Sequence, residues 1–277
     1  MLKTGYSLIV PLLMLTAALF FFCGCLPDKD PRAMAVTTSW LECCVRDLAG
    51  PRQKLVRLTP PGSCPGHFDL KPSAAASLRS CRLLLRFDFQ QSLDSRLGSS
   101  EVEVISIKAP EGLCIPDNYL HSCKQIHKVL CKTWPERKSS FDQSLEDLEN
   151  RMDQLEEDIH QMVHEAGISG ATVVTSGHQA EFARWLGLQV IATYSGAETT
   201  SPRELKDLIE HGQASDVRLI IANLQEGRAM ADSLAYHLKT PVACFSNFPA
   251  MTGQEKTFED LVRNNANALI EAARNSP

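Results

Sequence analysis

Residues 141–166, FDQSLEDLENRMDQLEEDIHQMVHEA, place Phe141, Leu145, Leu148, Met152, Leu155, Ile159 and Met162 at alternating steps of four and three. That spacing keeps an apolar stripe on one side of an α-helix while Asp, Glu and Gln occupy the other. At about 1.5 Å per residue the run predicts a rod on the order of 35–40 Å, long enough to touch two lobes. Pro135 and Gly167 mark its flanks. Fewer than four heptads, without regular charge pairing, make a coiled-coil dimer the poorer alternative, and the expectation is a monomer.

On both sides of this rod the sequence alternates between strand and helix patterns. Before it come a helical stretch in MAVTTSWLECCVRDLAG, the strand KLVRLTPPG, the helix and strand in SAAASLRSCRLLLRFDF, and the period-two strand EVEVISIKAP. After it come the strands ATVVTSG, LQVIATYSG, VRLIIANLQ and TPVACFSNFP, separated by the helices HQAEFARWLG, SPRELKDLIEHG and RAMADSLAYHLK and followed by a helix from Thr257 to Arg274. Ser201 and Pro202 read as the cap and first residue of one of these helices. The expected fold class is α/β: two lobes with mainly parallel sheets, residues 35–137 and 167–277, joined by one long helix over 138–166 with a ligand cleft between them.

The first residues, MLKTGYSLIVPLLMLTAALFFFCGCLP, combine one Lys, an apolar run from Ser7 to Phe22 and a Cys-Gly-Cys end. This predicts a signal peptide over 1–24 rather than a retained membrane span, which Pro11 disfavours. Phe22-Cys23-Gly24-Cys25 resembles a bacterial lipobox with Phe in place of the usual Leu, so Cys25 is expected to carry a lipid and residues 25–34 to form a tether to a membrane surface. Export permits disulfides among the remaining Cys43, Cys44, Cys64, Cys81, Cys114, Cys123, Cys131 and Cys244, though spacing does not give their connectivity. A net charge of -5 without a basic face excludes a nucleic-acid partner.

In a parallel sheet, ligands bind beyond the carboxyl ends of the strands. The loops to watch are therefore CPGH at 64–67, CIPDNY at 114–119, SGHQ at 176–179 and SNFP at 246–249. His67 and His178 stand in such loops, one in each half, and imidazole is the commonest transition-metal ligand. His178 directly precedes a helix and could instead act as its cap. Cys64 and His67 have Cys-x-x-His spacing, open to one zinc or to a disulfide of Cys64, and Asp117 could add an oxygen ligand or serve as a turn residue. His121, His127, His160, His164, His211 and His237 fall within helical patterns and read as surface residues. No G-x-S-x-G, H-E-x-x-H or glycine-rich phosphate loop is present, and Ser176-Gly177-His178 lacks an evident orienting carboxylate, so the chain reads as a binding protein and not an enzyme.

Together these stretches resemble the zinc/manganese solute-binding proteins of ABC transporters, the metal-binding lipoprotein class whose lobes are joined by a single long helix, in a divergent branch. KLVRLTPPGSCPGHFDLKPS is similar to that family's first metal loop, CIPDNYL to its second and VVTSGHQAEFARWLGL to its third, while VACFSNFP falls where the last ligand sits. Where the family reads Asp-Pro-His, this chain has Cys64-Pro65-Gly66-His67; Asp117 stands for a histidine, Ser246 and Asn247 for the last carboxylate, and Asn223 for another. The resemblance implies capture of Zn²⁺, possible for Mn²⁺ or another divalent metal, as transported ligand by His67, Asp117 and His178, with Cys64, Asn223, Ser246 or Asn247 finishing the shell. It also implies an ABC permease with its ATPase subunit as partner, and a location outside the cytoplasm, periplasmic or on the outer face of the cytoplasmic membrane. A shell so poor in carboxylates should hold a bare ion weakly. The alternatives are a small organic or metal-chelate ligand, or an extracytoplasmic metal-dependent hydrolase.

Overall fold

The computed structural model describes residues 33–61, 72–97, 102–196, 199–253 and 255–275. The predicted signal peptide, Cys25 and nearly all of the tether lie outside the described residues, as do Cys64 and His67. Two four-stranded sheets are present. The first comprises β1 (Met34–Val36), β2 (Leu55–Arg57), β3 (Leu83–Phe87) and β4 (Glu103–Ile107) in the order β2-β1-β3-β4. The second comprises β5 (Thr172–Ser176), β6 (Gln189–Tyr194), β7 (Leu219–Asn223) and β8 (Val242–Phe245) in the order β6-β5-β7-β8. Every pairing within these sheets is parallel.

Parallel pairing requires a crossover between neighbours, and α1 (Ser39–Ala49), α2 (Pro72–Leu78), α5 (Ala180–Trp185), α6 (Pro202–Ala214) and α7 (Ala229–Leu238) lie in those crossovers, while α3 (Pro116–Thr133) and α4 (Lys138–Glu165) lead from the first sheet to the second and α8 (Phe258–Arg274) follows the last strand. Helices on both faces bury both faces of each sheet. In β3, Leu83, Leu85 and Phe87 enter one core while Leu84 enters another; in β7, Leu219 and Ile221 part from Ile220 and Ala222 in the same way. The chain's alternation thus reports two apolar faces rather than one wet and one dry.

The long helix α4 joins the lobes through a common core. It buries Phe141, Leu148, Met152, Leu155, Ile159 and Val163, and packs against α1 and α3 of the first lobe and α8 of the second. Residues of both sheets contribute to that core. Trp40 on α1 packs edge-on against Tyr119 and Phe258, and the Tyr119 and Phe258 rings stack at 3.9 Å, so the start of α8 belongs by contact to the first lobe as well. Ser201 and Thr257 each accept a hydrogen bond from the backbone N–H three residues on, forming capping boxes with Glu204 and Asp260.

Arg151 of α4 bridges the two lobes electrostatically. Its Nη2 lies 2.7 Å from Asp47 Oδ1 on α1, and its Nε lies 3.4 Å from Glu259 Oε1 at the start of α8. Glu259 Oε2 is buried without a hydrogen-bond partner. Burial first, and then the charge of Asp47, raise the Glu259 carboxyl above its ordinary value. A raised folded-state value means the native protein binds this proton more tightly than the unfolded chain does. The contribution is therefore favourable below the ordinary Glu range and is lost as pH rises through the folded value. We expect Glu259→Gln to melt at a higher temperature than wild type near pH 7, and the gain to shrink as pH falls toward about 4; equal melting curves at neutral pH would show that the buried charge costs nothing.

Candidate metal centre

A cavity of about 610 Å³ opens between the lobes. Its walls are the segments that leave the carboxyl ends of the strands: Phe89 after β3, residues 109–113 after β4, Gly177, His178 and Glu181 after β5, Asn223, Gln225 and Glu226 after β7, and Asn247 and Phe248 after β8. Each sheet reverses its strand order beside its first strand, which is where open α/β sheets leave a crevice. At Gly112 φ is +73°, and a Cβ there would stand 2.6 Å from Ile115 Cδ1, so glycine lets the β4 loop turn along the cleft wall.

His178 lies in a 3-10 turn, Gly177–Gln179, between β5 and α5. The cap of that turn is Ser176, whose Oγ accepts from the His178 N–H at 3.3 Å. The imidazole is thereby released from capping and projects into the cleft with two-thirds of its side chain exposed, 67%. Its Nε2 stands 3.6 Å from Glu226 Oε1. Two ligands of a tetrahedral zinc, each at about 2.0–2.1 Å, are separated by roughly 3.3 Å, so this pair needs little movement to share one ion. The other Glu226 oxygen accepts from the Ser176 hydroxyl and, at 3.3 Å, from Asn223 Nδ2. The carboxylate is thus aimed by two neighbours, as the oxygen ligands of metal sites generally are.

Below this pair lies a floor of amides. Buried Gln179 donates through Nε2 to Asn223 Oδ1 at 3.3 Å and to Asn247 Oδ1 at 3.1 Å. The Cys114 thiol donates to the Ser246 carbonyl at 3.2 Å, tying the β4 loop to the β8 loop beneath the cleft. Burial pushes the Cys114 thiol well above its ordinary value, which keeps it a neutral donor. Among the described residues Cys43, Cys44, Cys114, Cys123, Cys131 and Cys244 are free thiols, so none of these is stapled to another.

The positions expected from sequence fare differently. His178 lines the cleft. Asn223 and Asn247 line it, but their carbonyl oxygens are committed to Gln179, which makes them supports for the site. Ser246 is not in the wall; its hydroxyl accepts from Gln225 Nε2 and donates to the Phe248 carbonyl, both at 2.9 Å. Asp117 is not in the wall either. Pro116 opens α3, so Asp117 falls exposed in the first helical turn, and Glu111 is the first-lobe carboxylate on the cleft. The expected shortage of carboxylates is corrected by Glu226, which also supplies the partner that Ser176 and His178 lacked. Glu111, Glu181 and Glu226 face the cavity with no Lys or Arg among its described lining, although Arg184 pairs with Glu181 from outside.

Two facing α/β lobes hinged on a rigid helix, with an imidazole and carboxylates at the cleft between them, define a two-lobed solute-binding protein with an acidic site. A profile of the family described as "Zinc-uptake complex component A periplasmic" (ZnuA) matches residues 34–272. The chain belongs to that family. A Thermotoga maritima protein described as a "Putative metal-binding protein" is 24% identical over 242 residues, 83% of this chain and 88% of the relative. The Mn-bound periplasmic metal-binding protein of Candidatus Liberibacter asiaticus superposes with a TM-score of 0.75 at 12% identity, covering 87% of this chain and 99% of that one. A crystal structure of ZnuA gives a TM-score of 0.73 at 16% identity over 88% and 100% of the two chains.

Because Ser176 aims Glu226 at the proposed ion, Ser176→Ala should weaken zinc binding by about 10- to 100-fold, while the lost cap on the His178 N–H lowers the metal-free melting temperature only by the few degrees that about 1 kcal/mol brings. Competition against a chelator of known affinity reads the first quantity and calorimetric melting the second; undiminished affinity would remove Glu226 from the coordination shell.

Proposed function

We propose that this protein captures a divalent transition metal, zinc first among them, in the interlobe cleft and delivers it to an ABC permease and its ATPase subunit. The observation that carries the reading is the His178–Glu226 pair, set 3.6 Å apart at the mouth of a cleft whose described walls hold three carboxylates and no cation. Family membership supports the same cargo class and a periplasmic site of action. In this reading His178 and Glu226 are the second-lobe ligands. His67 and Cys64 are the proposed first-lobe ligands, in the stretch of sequence that follows β2. Imidazole and carboxylate donors suit zinc, and a thiolate from Cys64 would favour it further over manganese. The protein acts by binding, not by catalysis. Calorimetric titration of metal-free protein should show zinc binding that His178→Ala loses; absence of heat with every divalent transition ion would remove the assignment.

A second reading, capture of a metal chelate or small organic molecule, is favoured by one observation: the cavity is about 610 Å³ and Phe89, Pro110, Leu113 and Phe248 add apolar surface to it. That volume is far beyond a bare ion and within the range of small-molecule sites. Mass spectrometry of what the purified protein releases on denaturation separates the two, metal alone supporting the first and a stoichiometric organic species the second.

Cys25 is the proposed anchor, acylated after removal of residues 1–24 and carrying the soluble body on the membrane beside its permease. Metabolic labelling with a fatty acid should mark wild type and not Cys25→Ala; unlabelled wild type would exclude the anchor.

A further inference from the structure

His127, which sequence periodicity assigns to the helix surface, is half-buried and faces α4 across the tight Pro135–Arg137 turn. Cys131 follows it by one helical turn on α3, so both side chains lie on one face. Asp142 approaches from the first turns of α4. His127 Nε2 is 2.9 Å from Asp142 Oδ1 and 3.4 Å from Cys131 Sγ, and one donor atom of each residue lies within 4.8 Å of the other two. A single ring nitrogen therefore has a sulfur and an oxygen as its immediate neighbours. In a tetrahedral zinc site, bonds of about 2.3 Å to sulfur and 2.0–2.1 Å to nitrogen and oxygen place sulfur roughly 3.5 Å and oxygen roughly 3.3 Å from the nitrogen. The two separations from the ring nitrogen need adjustments of a few tenths of an ångström, and Sγ and the carboxylate oxygen close onto the ion from within 4.8 Å of each other.

We propose that His127, Cys131 and Asp142 form a second metal site, distinct from the cleft, for zinc or another divalent ion that accepts thiolate and imidazole ligands. Lys138 occupies only the far side of Asp142, with Nζ 2.5 Å from Oδ2, so that Oδ1 stays directed at His127. The Asp142 carboxylate is already balanced by the Lys138 ammonium, and the Cys131 thiol gives up its proton when the ion binds. Three protein ligands leave the fourth position to water, the arrangement of an open zinc site. An ion there would cross-link α3 to α4 at the base of the long helix, outside the cargo cleft, and its occupancy would stabilise the hairpin whether or not the cleft is loaded.

Cobalt(II) is the probe, because thiolate ligation gives a sulfur-to-metal charge-transfer absorption in the near ultraviolet that imidazole and carboxylate ligation lack. In the full chain kept reduced, the band should appear in wild type and in the His178→Ala, Cys64→Ser double variant, which removes the cleft's own thiol, and be lost or strongly diminished when either Cys131→Ser or His127→Ala is added to that double variant. Zinc should likewise raise the melting temperature of His178→Ala and not that of His178→Ala combined with Cys131→Ser. A band that survives Cys131→Ser at full strength in that double-variant background, or that is missing from the double variant itself, overturns the proposal. Loss of cleft binding alone leaves the band in place, so failure of this site and failure of the transport assignment are separately visible.

Discussion

Parallel pairing of all the strands in each sheet is the constraint from which the rest of this architecture follows. It forces a crossover between successive strands of each sheet, places helices on both faces, and gathers the carboxyl ends of neighbouring strands along one edge. Two such sheets facing each other across a common core leave a gap lined by strand-end loops, and side chains that never meet in sequence meet there. The long helix α4 fixes the geometry of that gap by burying one apolar stripe into both lobes.

Within the gap, chemistry is arranged in two tiers. The exposed His178 imidazole and the half-buried Glu226 carboxylate stand above neutral amides whose hydrogen bonds are largely spent on one another through Gln179. Such a floor resists rearrangement, because breaking one bond strands a buried polar atom. The ligands above it are less constrained: His178 is tethered only at its backbone, by Ser176. A carrier that must release its cargo gains from this division, since a rigid base keeps the ligands aimed while exposed side chains let the ion leave.

Much of this was legible in the sequence, for definite reasons. The apolar steps from Phe141 to Ile159 mark a long helix because nothing else has that period, and the cap at Ser201 is local chemistry. His178 was legible because it sits between a strand and a helix. Glu226 was not: its approach to His178 depends on β7 lying beside β5, with Val174 opposite Ile220, and on the 3-10 turn that follows β7, neither of which has a residue-level signature. Asp117 misled because proline before it reads equally as a turn or as the first residue of a helix, and here it is the latter. The cluster at His127 was hidden for a similar reason. Its third member is brought in by the angle of the Pro135–Arg137 turn, whereas periodicity alone shows only a histidine outside the apolar stripe.

The central claim is that one cation sits between His178 and the carboxylate of Glu226. Anomalous diffraction at the zinc edge from crystals of the zinc-loaded protein tests it without reference to affinity. The account predicts a peak within about 2.0–2.2 Å of His178 Nε2 and of a Glu226 oxygen, inside the cleft. A zinc-loaded crystal whose anomalous density lies only elsewhere, with the imidazole and carboxylate still facing an ion-free gap, would contradict it.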